Sequence, residues 1–162
     1  MTGLVRKASK MKSEGSGGGA SIYLSYSYYQ TLETPIDYYR VAQDNNLHIG
    51  IPQHKISFTA KFQITETQWK FHPSIIWYGK TYANKIDQDA SGVFGFPLST
   101  QRLKNRVYVS ASAYYTSSEW EVGFGIKDIF DEGTLYPQPF QDVSTPYPGP
   151  GRQIWGQLSV RW

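Results

Sequence analysis

Cysteine is absent from the chain, so neither a disulfide framework nor a thiolate metal site can organise it. Long apolar runs are absent too. No stretch of about 18 consecutive apolar residues occurs, which excludes a transmembrane helix. Apolar stripes at helical spacing are missing. The segment after Met1 lacks the apolar core of a secretory signal, so an exported form is expected to be a piece of a longer protein or to lack its leader. Charge of one sign is scarce. Lys and Arg number 16 against 13 Asp and Glu, a net +3, and the clustered excess is confined to Arg6, Lys7, Lys10 and Lys12. No basic stripe or recognition motif accompanies it, so nucleic acid is not an expected partner.

What the chain has in excess is aromatic side chains: 13 Tyr, 8 Phe and 5 Trp, or 16% of its 162 residues. Two architectures favour such enrichment, a ligand-binding β-domain and a membrane barrel with rings at the bilayer interfaces. A hydrophobic content of 40% fits a barrel, because its outward apolar residues are diluted by inward polar ones.

The pattern of two is strong. In the last segment Ile154, Leu158, Val160 and Trp162 share one strand face, and Gln153, Gln157, Ser159 and Arg161 the other. The same alternation predicts strands over 20–29, 54–65, 69–82, 106–116 and 120–127, with Pro73 a local irregularity in the third. Lys61 in mid-strand is costly in a dry core and cheap toward a watery lumen. Residues 1–19 read as a basic, then Gly-rich, flexible segment or turn, and 20–162 as the strand-bearing unit.

Connection lengths alternate strictly. Residues 30–53, 83–105 and 128–151 are long and rich in Gly and Pro, whereas 66–68 and 117–119 are tight. All long loops then lie at one end, as in outer-membrane barrels with short periplasmic turns and long extracellular loops. The expected fold is all-β: an antiparallel up-and-down meander of about six strands, part of a transmembrane β-barrel. Trp69, Tyr115, Trp120 and Trp162 fall at the short-turn ends and predict an aromatic belt at one membrane interface. Tyr28, Trp77 and Tyr82 fall near the long-loop ends.

Gly125-Ile-Lys-Asp-Ile-Phe-Asp131, the loop with Tyr136, the Pro-Gly-Arg152 step and the terminal aromatic strand together resemble the C-terminal end of TonB-dependent outer-membrane receptors. Asp128 stands where that family usually has Asn. Gly50-Ile-Pro-Gln-His54 is similar to the family's Gly-x-Pro-x-His strand entry. The resemblance covers roughly 14–162. It implies a 22-stranded barrel, an N-terminal plug and a TonB-binding box, of which only the last strands lie in this chain. It also implies that Leu158, Val160 and Trp162 form the terminal signal read by the barrel-assembly machinery.

Candidate chemistry is thin. Asp87-Gln-Asp89-Ala-Ser91-Gly92 matches the first half of a calcium loop, but the twelfth position is Leu98, so a solvated extracellular loop is expected. His48, His54 and His72 have no metal spacing. Glu119 and Glu121 flank a turn rather than a cleft, against a glycosidase pair. Gly123-Phe-Gly125 sits inside a strand, where small residues accommodate curvature or a close neighbour, and is no dinucleotide fingerprint. No catalytic residue, metal or cofactor is therefore expected, and no enzyme. The expected function is the C-terminal barrel portion of an importer in the outer membrane of a Gram-negative bacterium. Its partners would be lipid, the assembly machinery, the rest of the barrel and plug, TonB through that plug, and a siderophore, haem, cobalamin or glycan-class ligand. The alternative is a soluble tyrosine-rich β-domain that binds a ligand.

Overall fold

The computed structural model describes residues 2–15, 18–31, 40–41, 44–64, 66–86, 98–133, 135–137 and 146–161. Described residues are all strand or connection. The long strands are β1 (Thr2–Gly15), β2 (Gly18–Thr31), β5 (His54–Gln63), β6 (Trp69–Tyr78), β9 (Arg106–Thr116), β10 (Trp120–Lys127) and β13 (Gln153–Val160). They form one sheet in the order β1-β2-β5-β6-β9-β10-β13, every neighbour antiparallel and consecutive along the chain. This is the expected meander, with β1 and β13 as its two edges.

Two elements differ from the sequence reading. Thr2–Gly15, expected within a flexible segment, pairs with β2 residue for residue from Thr2↔Thr31 to Gly15↔Gly18. Its basic residues interrupt any apolar alternation. What recruits it is the edge of β2, a row of N–H and C=O groups that would otherwise lack partners. The third expected strand also breaks in two, at Gly79-Lys80. The Gly79 N–H turns back to the His54 carbonyl at 2.9 Å, and a Cβ at Gly79 would meet the Trp77 ring at 2.9 Å.

The long connections are not bare loops. They carry the hairpins β3 (Arg40–Val41) with β4 (Asp44–His48), β7 (Thr81–Ile86) with β8 (Leu98–Leu103), and β11 (Leu135–Tyr136) with β12 (Tyr147–Pro148). The buried apolar cluster lies where these connections meet the end of β2. Tyr29, Val41, Leu47, Ile49 and Tyr82 pack together at the long-loop end. The first two connections are zipped together by Gly50 N–H to Tyr82 O and Gln53 N–H to Lys80 O, both 2.9 Å.

Pro73 leaves a readable mark. The β6–β9 ladder runs unbroken through Pro73↔Ala111, whereas the β5–β6 ladder lapses between Thr59↔Ser74 and Phe62↔Phe71. Proline has no N–H to give, so a central strand tolerates it only where the ladder is interrupted.

The segment that carries the receptor resemblance folds into one turn. Asp128 and Asp131 both adopt φ of 52°, the left-handed region that Asn and Asp tolerate best after glycine. Asp131 N–H donates to Asp128 O at 3.0 Å, and Asp131 Oδ1 accepts from the Arg152 N–H at 2.9 Å. Gly151 has φ +65°, and a Cβ there would meet Asp131 Oδ1 at 2.9 Å. The Asp-Ile-Phe-Asp and Pro-Gly-Arg pieces are thus two halves of one clasp that starts the last strand. Gly151→Ala should cost about 1–3 kcal/mol from backbone strain and crowding, and Asp131→Ala about 1 kcal/mol from the lost hydrogen bond. Denaturant midpoints would rank them, and equal stability of Gly151→Ala and wild type would refute the clasp.

Candidate functional site

Register assigns every residue of the six strands β2 to β13 to one of two faces. Leu24 opposes Phe58, which opposes Ile75, which opposes Val109. Phe62 opposes Phe71, which opposes Ala113, which opposes Phe124. Val122 opposes Leu158, and Ile126 opposes Ile154. This face is apolar from β2 to β13. It is also uncovered: Leu24, Phe62, Phe71, Ile75 and Phe124 are 40–53% exposed, and Ile154, Leu158 and Val160 reach 57–80%. An exposed apolar surface spanning a whole sheet demands a partner.

The short-turn end of that face carries an aromatic cluster. Trp69 pairs in register with Tyr115, their rings 5.3 Å apart at 66°. Tyr115 lies 5.3 Å from Trp120, and Trp69 also meets Phe71 and Phe124, each at 6.4 Å. Three of the four expected belt residues are therefore one cluster. Trp162, the fourth and the end of the expected assembly signal, lies outside the described residues. Leu158 and Val160 lie on the exposed apolar face of the edge strand β13. Sequence reasoning missed Phe71 and Phe124, which complete the cluster. Their even spacing from Trp69 and Trp120 was the available signal.

The opposite face is polar. It shows Ser57, Thr59, Lys61, Lys70, His72, Ser74, Ser110, Ser112 and Gln157 in register across the sheet. Lys70 Nζ donates to Thr116 Oγ1 at 3.2 Å, and Thr116 Oγ1 donates to Glu121 Oε2 at 2.9 Å. Glu121 is thereby tied into a cross-strand chain, while Glu119 is exposed in its turn. Glycines make room for rings on this face. A Cβ at Gly123 would meet Tyr114 at 2.7 Å, and one at Gly125 would meet Trp155 at 2.6 Å. Each ring lies flat over the glycine that it opposes in register, so these glycines do admit a close neighbour.

The histidines are engaged by tyrosines, His48 and His54 toward the long-loop end and His72 nearer the short turns. Tyr29 Oη meets His48 Nδ1 at 2.8 Å, Tyr26 Oη meets His54 Nδ1 at 2.8 Å, and His72 packs on Tyr114 with ring centroids 5.0 Å apart. No three His, Asp or Glu side chains come together among the described residues. Asp87 and Asp89 lie outside them. Lys80 Nζ reaches Asp44 Oδ2 at 2.6 Å, and that hydrogen bond, against the opposing effect of desolvation, holds the ammonium pKa above its usual value. The pair joins the first long connection to the second.

A cavity of about 270 Å3 opens on the polar face beneath the third long connection. Tyr78, Tyr108 and Tyr136 supply its aromatic wall, and Asp128, Lys127 and Gln153 its polar groups. Asp128 is 5% exposed, and its Oδ1 meets no hydrogen-bond partner among the described residues. The sequence reading passed over this group, since Tyr78, Tyr108 and Tyr136 are far apart in the chain. Asp128→Asn keeps the left-handed preference and removes a buried charge. It should raise stability by about 1 kcal/mol, visible as a higher denaturant midpoint; a lower midpoint would show that the carboxylate is satisfied.

Comparison with family models, with curated proteins and with solved structures finds no match to this chain.

Proposed function

We propose that this chain is a wall segment of an outer-membrane β-barrel, the C-terminal portion of a TonB-dependent importer of a scarce ligand. One observation carries the reading: a six-strand face, apolar throughout, stands uncovered while the other face is polar. Lipid is the partner that such a face fits, because a barrel wall needs apolar residues outside and polar ones toward its lumen. Strands β5, β6 and β9 have 10, 10 and 11 residues, near the roughly 9–11 that cross a bilayer at a tilt. The Trp69–Tyr115–Trp120 cluster suits a headgroup interface. The receptor family is the finer part of the proposal and rests on the Asp128–Asp131 and Gly151–Arg152 clasp and the terminal strand. In this reading no residue of the chain acts as an enzyme. The long-loop end faces outside, and β1 and β13 meet the rest of the barrel.

The soluble alternative requires the same apolar residues to close on one another. Their exposure favours lipid instead.

The test uses the whole chain folded with lipid vesicles. Single-tryptophan versions keep Trp77, on the apolar face, or Trp155, on the polar face. Brominated acyl chains should quench Trp77 strongly and Trp155 weakly. Equal quenching of the two, or a monomeric chain with a cooperative melt in plain buffer, would overturn the proposal.

A further inference from the structure

The cavity beneath the third long connection has a chemistry of its own. It lies wholly within described residues on the polar face, so it does not depend on what covers the apolar one. Three tyrosines form its wall. Tyr78 and Tyr108 meet edge to face at 89° with centroids 5.8 Å apart, and Tyr136 is backed by Tyr147, stacked at 5.6 Å. The Arg106 guanidinium donates to Leu135 O at 3.1 Å, which ties β11, and Tyr136 with it, to the start of β9. The wall is therefore built from anchored rings.

One polar atom in its wall is buried without a partner. Asp128 Oδ1 has no hydrogen-bond partner among the described residues. Buried polar atoms are nearly always paired, so a carboxylate oxygen orphaned in a cavity wall calls for a ligand that donates a hydrogen bond to it. The left-handed backbone of Asp128 in the clasp sets where its side chain enters the cavity wall.

Charge narrows the class. The Asp128 carboxylate opposes an anion. Lys127 in the lining, and the Arg106 guanidinium 5.1 Å over the Tyr78 ring, oppose a free cation. A neutral ligand remains. It must donate to Asp128, exchange hydrogen bonds with Tyr108, accept from Lys127 and Gln153, and lay an apolar face on a tyrosine ring. We infer that the cavity binds a saccharide unit, one neutral polyhydroxylated ring stacked on its tyrosines with a hydroxyl on Asp128. The volume of about 270 Å3 lies just under the range for drug-sized ligands, which suits one small ring over an oligomer.

Tyr136 supports a neutral lining. Its phenol is pushed up to about 12, first by the neighbouring Tyr108 hydroxyl and then by burial, so it stays protonated through the physiological range.

The experiment titrates the folded full chain in detergent with glucose, galactose and maltose, and with choline and inorganic phosphate as charged probes. Tyrosine and tryptophan fluorescence reports binding. Saturable binding of at least one neutral sugar, with neither charged probe competing, is the expected result. Tyr136→Ala should weaken it tenfold or more, and Tyr136→Phe, which keeps the ring, only a few-fold. A wild-type readout guards against misfolded variants: the bound sugar should slow nitration of Tyr136, located by mass spectrometry, and leave Tyr26 on the opposite face unchanged. No saturable sugar binding by chain that retains its β-sheet spectrum would overturn the inference, as would choline or phosphate binding in its place or Tyr136 nitration unaffected by sugar. The detergent assay reads the cavity alone, and the vesicle quenching reads the membrane proposal, so either can fail without the other.

Discussion

Ile75→Lys is expected to cost about 2–4 kcal/mol of folding free energy in lipid vesicles, whereas Ile64→Lys should cost no more than about 1 kcal/mol. The two isoleucines share the apolar face and are exposed alike, at 42% and 45%. Ile75 lies in the body of β6, and Ile64 follows β5 at the short-turn end. Against water the two substitutions would be equivalent, since neither side chain is buried. Against a bilayer they differ by depth: a lysine near the midplane must dehydrate or distort the membrane, and one near the interface reaches headgroups. Ser74→Lys, one residue from Ile75 but on the polar face, supplies the internal standard and should cost little. Urea titrations of the vesicle-folded chain give all three values. Equal costs for Ile75→Lys and Ile64→Lys would remove the membrane from the account of this sheet.

The second large effect is on the other face. Gly125→Ala should destabilise the sheet by about 1–3 kcal/mol, because the new methyl enters the space of the Trp155 ring. The contact of 2.6 Å is too short for any pair of carbon atoms, so the ring must tilt off the strand. Gly123→Ala poses the same conflict with Tyr114 at 2.7 Å, and the Tyr114 and Trp155 rings are themselves 6.0 Å apart. The two substitutions should therefore couple rather than add. A double-mutant cycle isolates the cause: in a Trp155→Ala background, Gly125→Ala should become nearly neutral. A full penalty surviving there would place the cost in the backbone and not in the ring.

The resemblance motif shows how much a short sequence signal can carry. Asp128, Asp131 and Gly151 matter because each occupies a left-handed backbone position that most residues resist. That preference is local, so it is legible in the chain. That Asp131 reaches across to the Arg152 N–H is not legible, since 21 residues separate donor and acceptor. The cavity is a harder case. Its tyrosines lie on β6, β9 and β11, and nothing in their spacing announces a shared wall.

The sequence by itself determined the all-β meander, the alternation of tight and long connections, and which residues share a face. Those features follow from a period of two and from turn chemistry, both local properties. That Trp69, Tyr115 and Trp120 share the short-turn end was legible for the same reason, as their strand ends are set by the turns beside them. Only the tertiary structure decided that Thr2–Gly15 joins the sheet, that the first two long connections fold into hairpins around Tyr29, Leu47 and Tyr82, and that Tyr78, Tyr108, Tyr136 and Asp128 line one space. Each of these depends on an edge, a packing surface or a register that exists only after distant segments meet.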